Sequence, residues 1–246
     1  MTVVRTPPLP PGRGVVPTIY GEHVHAPGEG RSGFAVIDVE TTGFSPEAER
    51  IVEVGVVVLD RRGVERSSFS TLLHPGRDPG PTHVHRITAA MVTGAPSFAD
   101  ILPYLGGQLS GRVLVGHNID RFDLAFVRAE WDRAGTGIPF PAHPVTVDTL
   151  QVAQHHLGLR GRARLVECCE RYGLAWDDHH TALGDARVTA ALFGAMRAEV
   201  GDHVLGIDGL LDRAEATDWA GPSLLPPPSR PRTEVPSGSG RWAPCS

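Results

Sequence analysis

The chain has no lysine; all 23 of its basic residues are arginine. A Walker-type phosphate loop, which ends in Gly-Lys-Ser or Gly-Lys-Thr, is therefore excluded. Cysteine is scarce, with only Cys168, Cys169 and Cys245, and there is no paired Cys-x-x-Cys or His-x-x-x-His arrangement. That excludes a zinc module of the usual spacing. Two adjacent thiols in an expected helix speak for reduced cysteines rather than a disulfide framework. Long apolar runs are missing as well: the longest, Ile51 to Leu59, is interrupted by Glu53 and Gly55 and is too short to span a bilayer. The N-terminal residues lack the apolar stretch of a secretory signal. A cytoplasmic protein with no membrane role is expected.

What is present begins with the run Phe34-Ala35-Val36-Ile37, followed by Asp38-Val39-Glu40 and then Thr41-Thr42-Gly43. Residues two apart on a strand project from one face, roughly 6 to 7 Å apart, so both carboxylates can reach one hard divalent cation. Without a cation the pair would repel, and one member would tend to hold a proton. The competing reading is a solvated turn in which Gly43 supplies a positive φ. Two further segments can complete an oxygen-rich site of the magnesium type. One runs from Val113 through Gly116-His117-Asn118-Ile119-Asp120-Arg121-Phe122-Asp123; the other is His180-Thr181-Ala182-Leu183-Gly184-Asp185. Five residues along a helix rotate a side chain by about 500°, leaving it roughly 140° off its starting stripe. His180 and Asp185 converge only if His180 lies in the preceding loop, Thr181 caps the helix and Asp185 sits one turn inside.

In order and context, these three segments resemble the exonuclease motifs of the DnaQ-like (DEDDh) family of 3′-to-5′ exonucleases, over about residues 31 to 200. Arg50-Ile51-Val52-Glu53-Val54-Gly55 is similar to that family's second strand. His85-Arg86-Ile87-Thr88 is similar to its His-x-Ile-Thr segment, in which glycine is the usual second residue. The middle motif is one residue longer than in many bacterial members, so Asp120 and Asp123 compete as ligand. The longer form resembles the pattern of three-prime repair exonucleases, which selects Asp123. Asp120 is then expected to cap a helix from Arg121 to Ala134. His117 is expected to be a satisfied strand-end histidine, Asp148 a helix cap, and His179 an exposed loop residue.

The resemblance implies catalytic residues Asp38, Glu40, Asp123, His180 and Asp185, with the four acids holding two Mg2+ ions that Mn2+ can replace. It implies that Asp38 bridges both ions, that Glu40 and Asp185 complete the first, that Asp123 supports the second, and that His180 takes the proton of the attacking water. Thr42, Gly43 and Phe44 are expected to receive the terminal nucleotide, with Phe44 stacking on its base; the competing role for Phe44 is a core anchor of its loop. Asn118 and Arg121 are expected to touch phosphate or sugar, which positions a strand without reading it. The implied substrate is a DNA 3′ end, single-stranded or frayed, in proofreading or repair. RNA end processing of the oligoribonuclease kind and an idle replisome-binding or nucleic-acid-binding module are the alternatives. Neither tail specifies a polymerase or clamp partner. A formal charge of −5 argues against broad coating of nucleic acid, but not against a nuclease whose acids hold cations.

The expected fold is α/β and ribonuclease H-like, a central mixed sheet of about five strands flanked by helices. Strands are expected near 33–40, 51–60, 64–73, 112–116 and 145–148. Helices are expected near 97–109, 121–134, 148–157, 162–172, 182–199 and 204–216. Ala182, Ala186 and Ala190, spaced by four, let one helix lie close to the sheet. The expected organisation is a proline- and glycine-rich segment 1–30, a catalytic domain 31–200, a short helical extension 201–220 and a flexible tail 221–246.

Overall fold

The computed structural model describes residues 32–159, 163–176, 180–217 and 219. Its centre is a five-stranded sheet built from β1 (Phe34–Thr41), β2 (Ile51–Leu59), β3 (Glu65–Leu72), β4 (Val113–Gly116) and β5 (Thr146–Asp148), in the order β3-β2-β1-β4-β5. β1, β2 and β3 form an antiparallel meander, and β4 and β5 extend it in parallel with β1. β1 and β2 are buried on both faces, as expected for near-continuous apolar strands at the middle of a covered sheet.

The two faces divide the strand residues by parity. Ala35, Ile37 and Val39 point into a core with α3 (Phe98–Leu109) and α4 (Asp123–Ala134). Phe34 and Val36 point into the opposite core, with α5 (Thr149–His156), α6 (Leu165–Arg171) and α7 (Ala182–Val200). Asp38 and Glu40 continue this second parity toward the end of β1. The packing that puts Phe34 against Phe193 of α7 therefore also puts the two acids on the face that α7 crosses.

The register Asp38↔Gly55 sets how closely α7 can lie. A Cβ at Gly55 would stand 2.3 Å from the carbonyl carbon of Ala182 and 2.5 Å from the nitrogen of Leu183. Only glycine lets the first turn of α7 rest on β2 there. Ala182 and Ala186 are fully buried beneath the same helix.

Two short helices that the sequence reading lacked, α1 (Thr82–His85) and α2 (Ala89–Val92), follow β3. The single helix expected at 204–216 is instead two, α8 (Asp202–Leu205) and α9 (Ile207–Glu215), because Gly206 adopts φ 65° and breaks the ladder. Ile207, Leu211 and Ala214 pack into the α7 side of the core. Trp219 packs edge-on to Trp131 and Phe140 on the other side. Among the described residues no helix is long and apolar enough to cross a membrane.

Candidate active site

Carboxylate oxygens of Asp38, Glu40 and Asp185 all lie within 4.8 Å of one another. Asp185 arrives from α7. Its helix is started by Thr181, whose hydroxyl accepts the Gly184 N–H at 3.0 Å and whose carbonyl accepts the Asp185 N–H at 2.9 Å. His180 occupies the residue before that cap, in the left-handed region at φ 64°, half-buried. The loop-then-cap geometry expected for this segment is the one observed. His179 lies outside the described residues.

Asp123 enters from behind. β4 pairs with β1 only as far as Val36, so beyond that point β1 has an open edge. Asp123, the first residue of α4 and 3% exposed, fills it by accepting the Val39 N–H at 3.1 Å. Burial pushes its pKa to about 7, with Asp148 and Asp185 adding to the shift and two backbone N–H groups opposing it. Asp38 is raised well above the ordinary carboxylate range, first by burial and then by the charges of Asp123, Asp185, Glu40 and Glu53. Four acids thus bear on Asp38, and such a cluster is at ease at neutral pH only with a cation between them. Every donor is a carboxylate oxygen, which fits a hard divalent ion.

Glu53 was not singled out in the sequence. It lies on β2 opposite Glu40, 1% exposed, and its carboxylate accepts the Ala182 N–H at 3.1 Å. It ties the start of α7 to the sheet. An acid inside the apolar run Ile51 to Leu59 was the available signal, since such a position tolerates a charge only when it is bound. Trp176, also not singled out, donates its indole N–H to Asp185 Oδ1 at 2.9 Å; no pattern in the sequence announced it.

The residues expected to meet substrate differ in how free they are to do so. The Thr42 hydroxyl is committed to its own loop, hydrogen-bonded to Glu49 and accepting the Arg50 N–H. The Thr42 N–H is taken as well, donating to the Arg50 carbonyl at 2.9 Å, and the Thr42 backbone packs closely against Gly80. Phe44 is 88% exposed, which overturns the alternative of a core anchor. Arg121 is exposed, and Asn118 is half-buried at φ 68°. Arg86 holds the left-handed conformation (φ 60°) that glycine takes readily, so the turn keeps its shape despite the substitution.

Asp120 does not cap a helix. The Asn118 carbonyl accepts the N–H groups of Arg121 and Phe122, which holds the chain in a turn until α4 begins at Asp123, with Phe122 at the N-cap. Asp120 remains exposed and accepts from Gln151 Nε2 at 3.4 Å. His117 is satisfied as expected, by Thr149 Oγ1 at 3.0 Å and the Ala163 carbonyl at 2.8 Å. Asp148 caps α5 by accepting the Leu150 N–H, and it also accepts the Asn118 N–H.

Comparison with known proteins agrees with this geometry. A family model described as Exonuclease (RNase T) matches residues 35–193. DNA polymerase III subunit epsilon of Treponema pallidum is 34% identical over 184 residues, which is 73% of this chain and 80% of that protein. DNA polymerase III PolC-type of Thermotoga maritima is 35% identical over 166 residues, 67% of this chain but only 12% of the much longer relative. Among solved structures, exonuclease X in complex with 5′ overhanging duplex DNA superposes with a TM-score of 0.54 at 25% identity, over 72% of this chain and 99% of that one. Exonuclease I superposes with a TM-score of 0.59 at 18% identity, over 73% of this chain and 42% of its own length, and shows the shared fold. With a mixed five-stranded sheet, an acid cluster at the end of its central strand and a family match across both, the chain belongs to the DnaQ-like exonuclease family and is a nuclease of ribonuclease H-like fold.

Proposed function

We propose that this protein is a metal-dependent 3′-to-5′ exonuclease that removes mononucleotides from single-stranded or frayed DNA ends, in proofreading or repair, in the cytoplasm. The convergence of Asp38, Glu40 and Asp185 within 4.8 Å, with Asp123 behind Asp38, carries the reading. When bound, two Mg2+ ions activate water and offset the charge on the phosphoryl and leaving oxygens. Asp38, Glu40 and Asp185, whose oxygens converge, would hold the ions together with Asp123, whose charge bears on Asp38. His180, half-buried in the loop before α7, takes the proton from the attacking water. An imidazole can accept and release a proton, which suits that step. Exposed Phe44 offers a face on which any terminal base can stack, so little base preference is expected. The named relative works within DNA polymerase III, and the solved neighbours include exonuclease I with a dT13 oligonucleotide. Both favour DNA over RNA as the substrate.

The test uses one oligonucleotide labelled at either end. The 3′ label should leave as mononucleotide from the outset, the 5′-labelled strand should shorten stepwise, and EDTA should abolish both. Asp38→Ala should be inactive, and His180→Ala should lose about 10²- to 10⁴-fold. Retarded mobility without shortening would replace the enzyme with a binding module. Faster cleavage of a matched RNA would move the substrate to RNA.

A further inference from the structure

α7 is fixed against the sheet at Gly55 and Glu53, but that contact does not by itself orient the carboxylate of Asp185, whose two side-chain torsions remain to be set. A hydrogen bond to that carboxylate comes from Trp176, whose Nε1–H meets Oδ1 at 2.9 Å. Trp176 follows α6, nine residues before Asp185, and is half-buried. An indole can only donate, so it cannot serve as a ligand. It is also neutral, so it satisfies one direction of Oδ1 without cancelling the charge a cation needs. An arginine in the same place would orient the carboxylate and compete with the metal at once.

We propose that Trp176 is a positioning residue: it locks the carboxylate of Asp185 in the orientation that receives a divalent cation, and its indole therefore reports cation binding. The inference rests on the reading of Asp185 as a metal ligand. Outer hydrogen bonds of this kind commonly carry about 10- to 100-fold in metal affinity.

The experiment titrates Mg2+ into the EDTA-stripped and dialysed full chain, following tryptophan emission and heat of binding in parallel. Wild type should show a saturable emission change. Trp131 and Trp219 lie in the core and Trp242 lies outside the described residues; subtraction of Trp176→Phe isolates the contribution of Trp176. That variant should lose the emission change and need about tenfold more Mg2+ for half-saturation, while its KM for an oligonucleotide stays at the wild-type value. Wild-type Mg2+ affinity in Trp176→Phe would overturn the proposal. Asp185→Asn separates the two levels. If it too binds Mg2+ as wild type does, Asp185 is not a ligand and the inference falls with that reading. If it binds weakly while Trp176→Phe does not, only the role of Trp176 falls. Should Trp176→Phe fail to fold, emission from wild type and Asp185→Asn decides. A Mg2+-dependent change in the first alone supports the proposal, and no change in wild type overturns it.

Discussion

Replacing Asp123 with asparagine should make the metal-free protein more stable, and increasingly so as pH rises. The Asp123 carboxyl moves from an ordinary 3.8 to about 7 on folding, about three units at 1.4 kcal/mol each, so ionising it in the folded chain costs about 4 kcal/mol. The direction follows from proton counting. Between these two values the folded chain binds more protons than the unfolded one, so stability falls with rising pH and the full cost is present above pH 7. Asparagine keeps an oxygen for the Val39 N–H and has no proton to lose. His117 acts in the opposite direction, because burial lowers its pKa and its contribution is lost as pH falls. Both proteins contain it, so it cancels in their difference. Urea unfolding in EDTA should show the advantage of Asp123→Asn widening by about 2 kcal/mol between pH 5.5 and pH 8. Saturating Mg2+ should close much of that gap by stabilising the wild type more than the variant. An advantage that stays flat or shrinks as pH rises would refute the account of a repelled, buried acid held for a cation.

Gly55→Ala should push the start of α7 off β2, because the added carbon meets backbone at 2.3 Å. A loss of about 1–3 kcal/mol and about 10²-fold in kcat is expected, and a wild-type kcat would show that this contact does not place Asp185. Glu53→Ala should cost about 1–3 kcal/mol by stranding the buried Ala182 N–H, with Glu53→Gln recovering most of it in chemical unfolding; equal stabilities for all three proteins would remove the tether. Phe44→Ala should leave the melting temperature unchanged, since the ring is exposed. It should raise KM for a single strand about tenfold through lost stacking, and an unchanged KM would take Phe44 out of the substrate path.

The sheet was legible because β1, β2 and β4 contain apolar runs bounded by turn residues, and β1 through β5 fall within about two residues of where the sequence puts them. Local capping chemistry was equally readable: Thr181 and Asp148 both cap as expected. Asp120 misled for a related reason. An acid before a helical pattern is an ordinary cap, and nothing in the sequence says that Asn118 will adopt φ 68° and delay the helix to Asp123. The packing of Trp219 on Trp131 and Phe140 was also hidden, because it depends on partners distant in sequence.

The site itself divides along the same line. Asp38, Glu40, Asp123 and Asp185 could be named from motifs, whereas the contacts that hold the cluster together could not. Glu53 reaches Ala182 across 129 residues and Asp123 reaches Val39 across 84. Each of these is a carboxylate spent on a backbone N–H that the fold would otherwise leave unsatisfied, on β1 where β4 ends and on α7 where it meets the sheet. The site is therefore assembled at the two places where regular hydrogen bonding runs out. Acids drawn there to complete the backbone accumulate more negative charge than the interior tolerates, and the raised pKa of Asp38 expresses that excess. On this view structural need and metal affinity have one origin: the carboxylates that close the fold are the ones that make it require a cation.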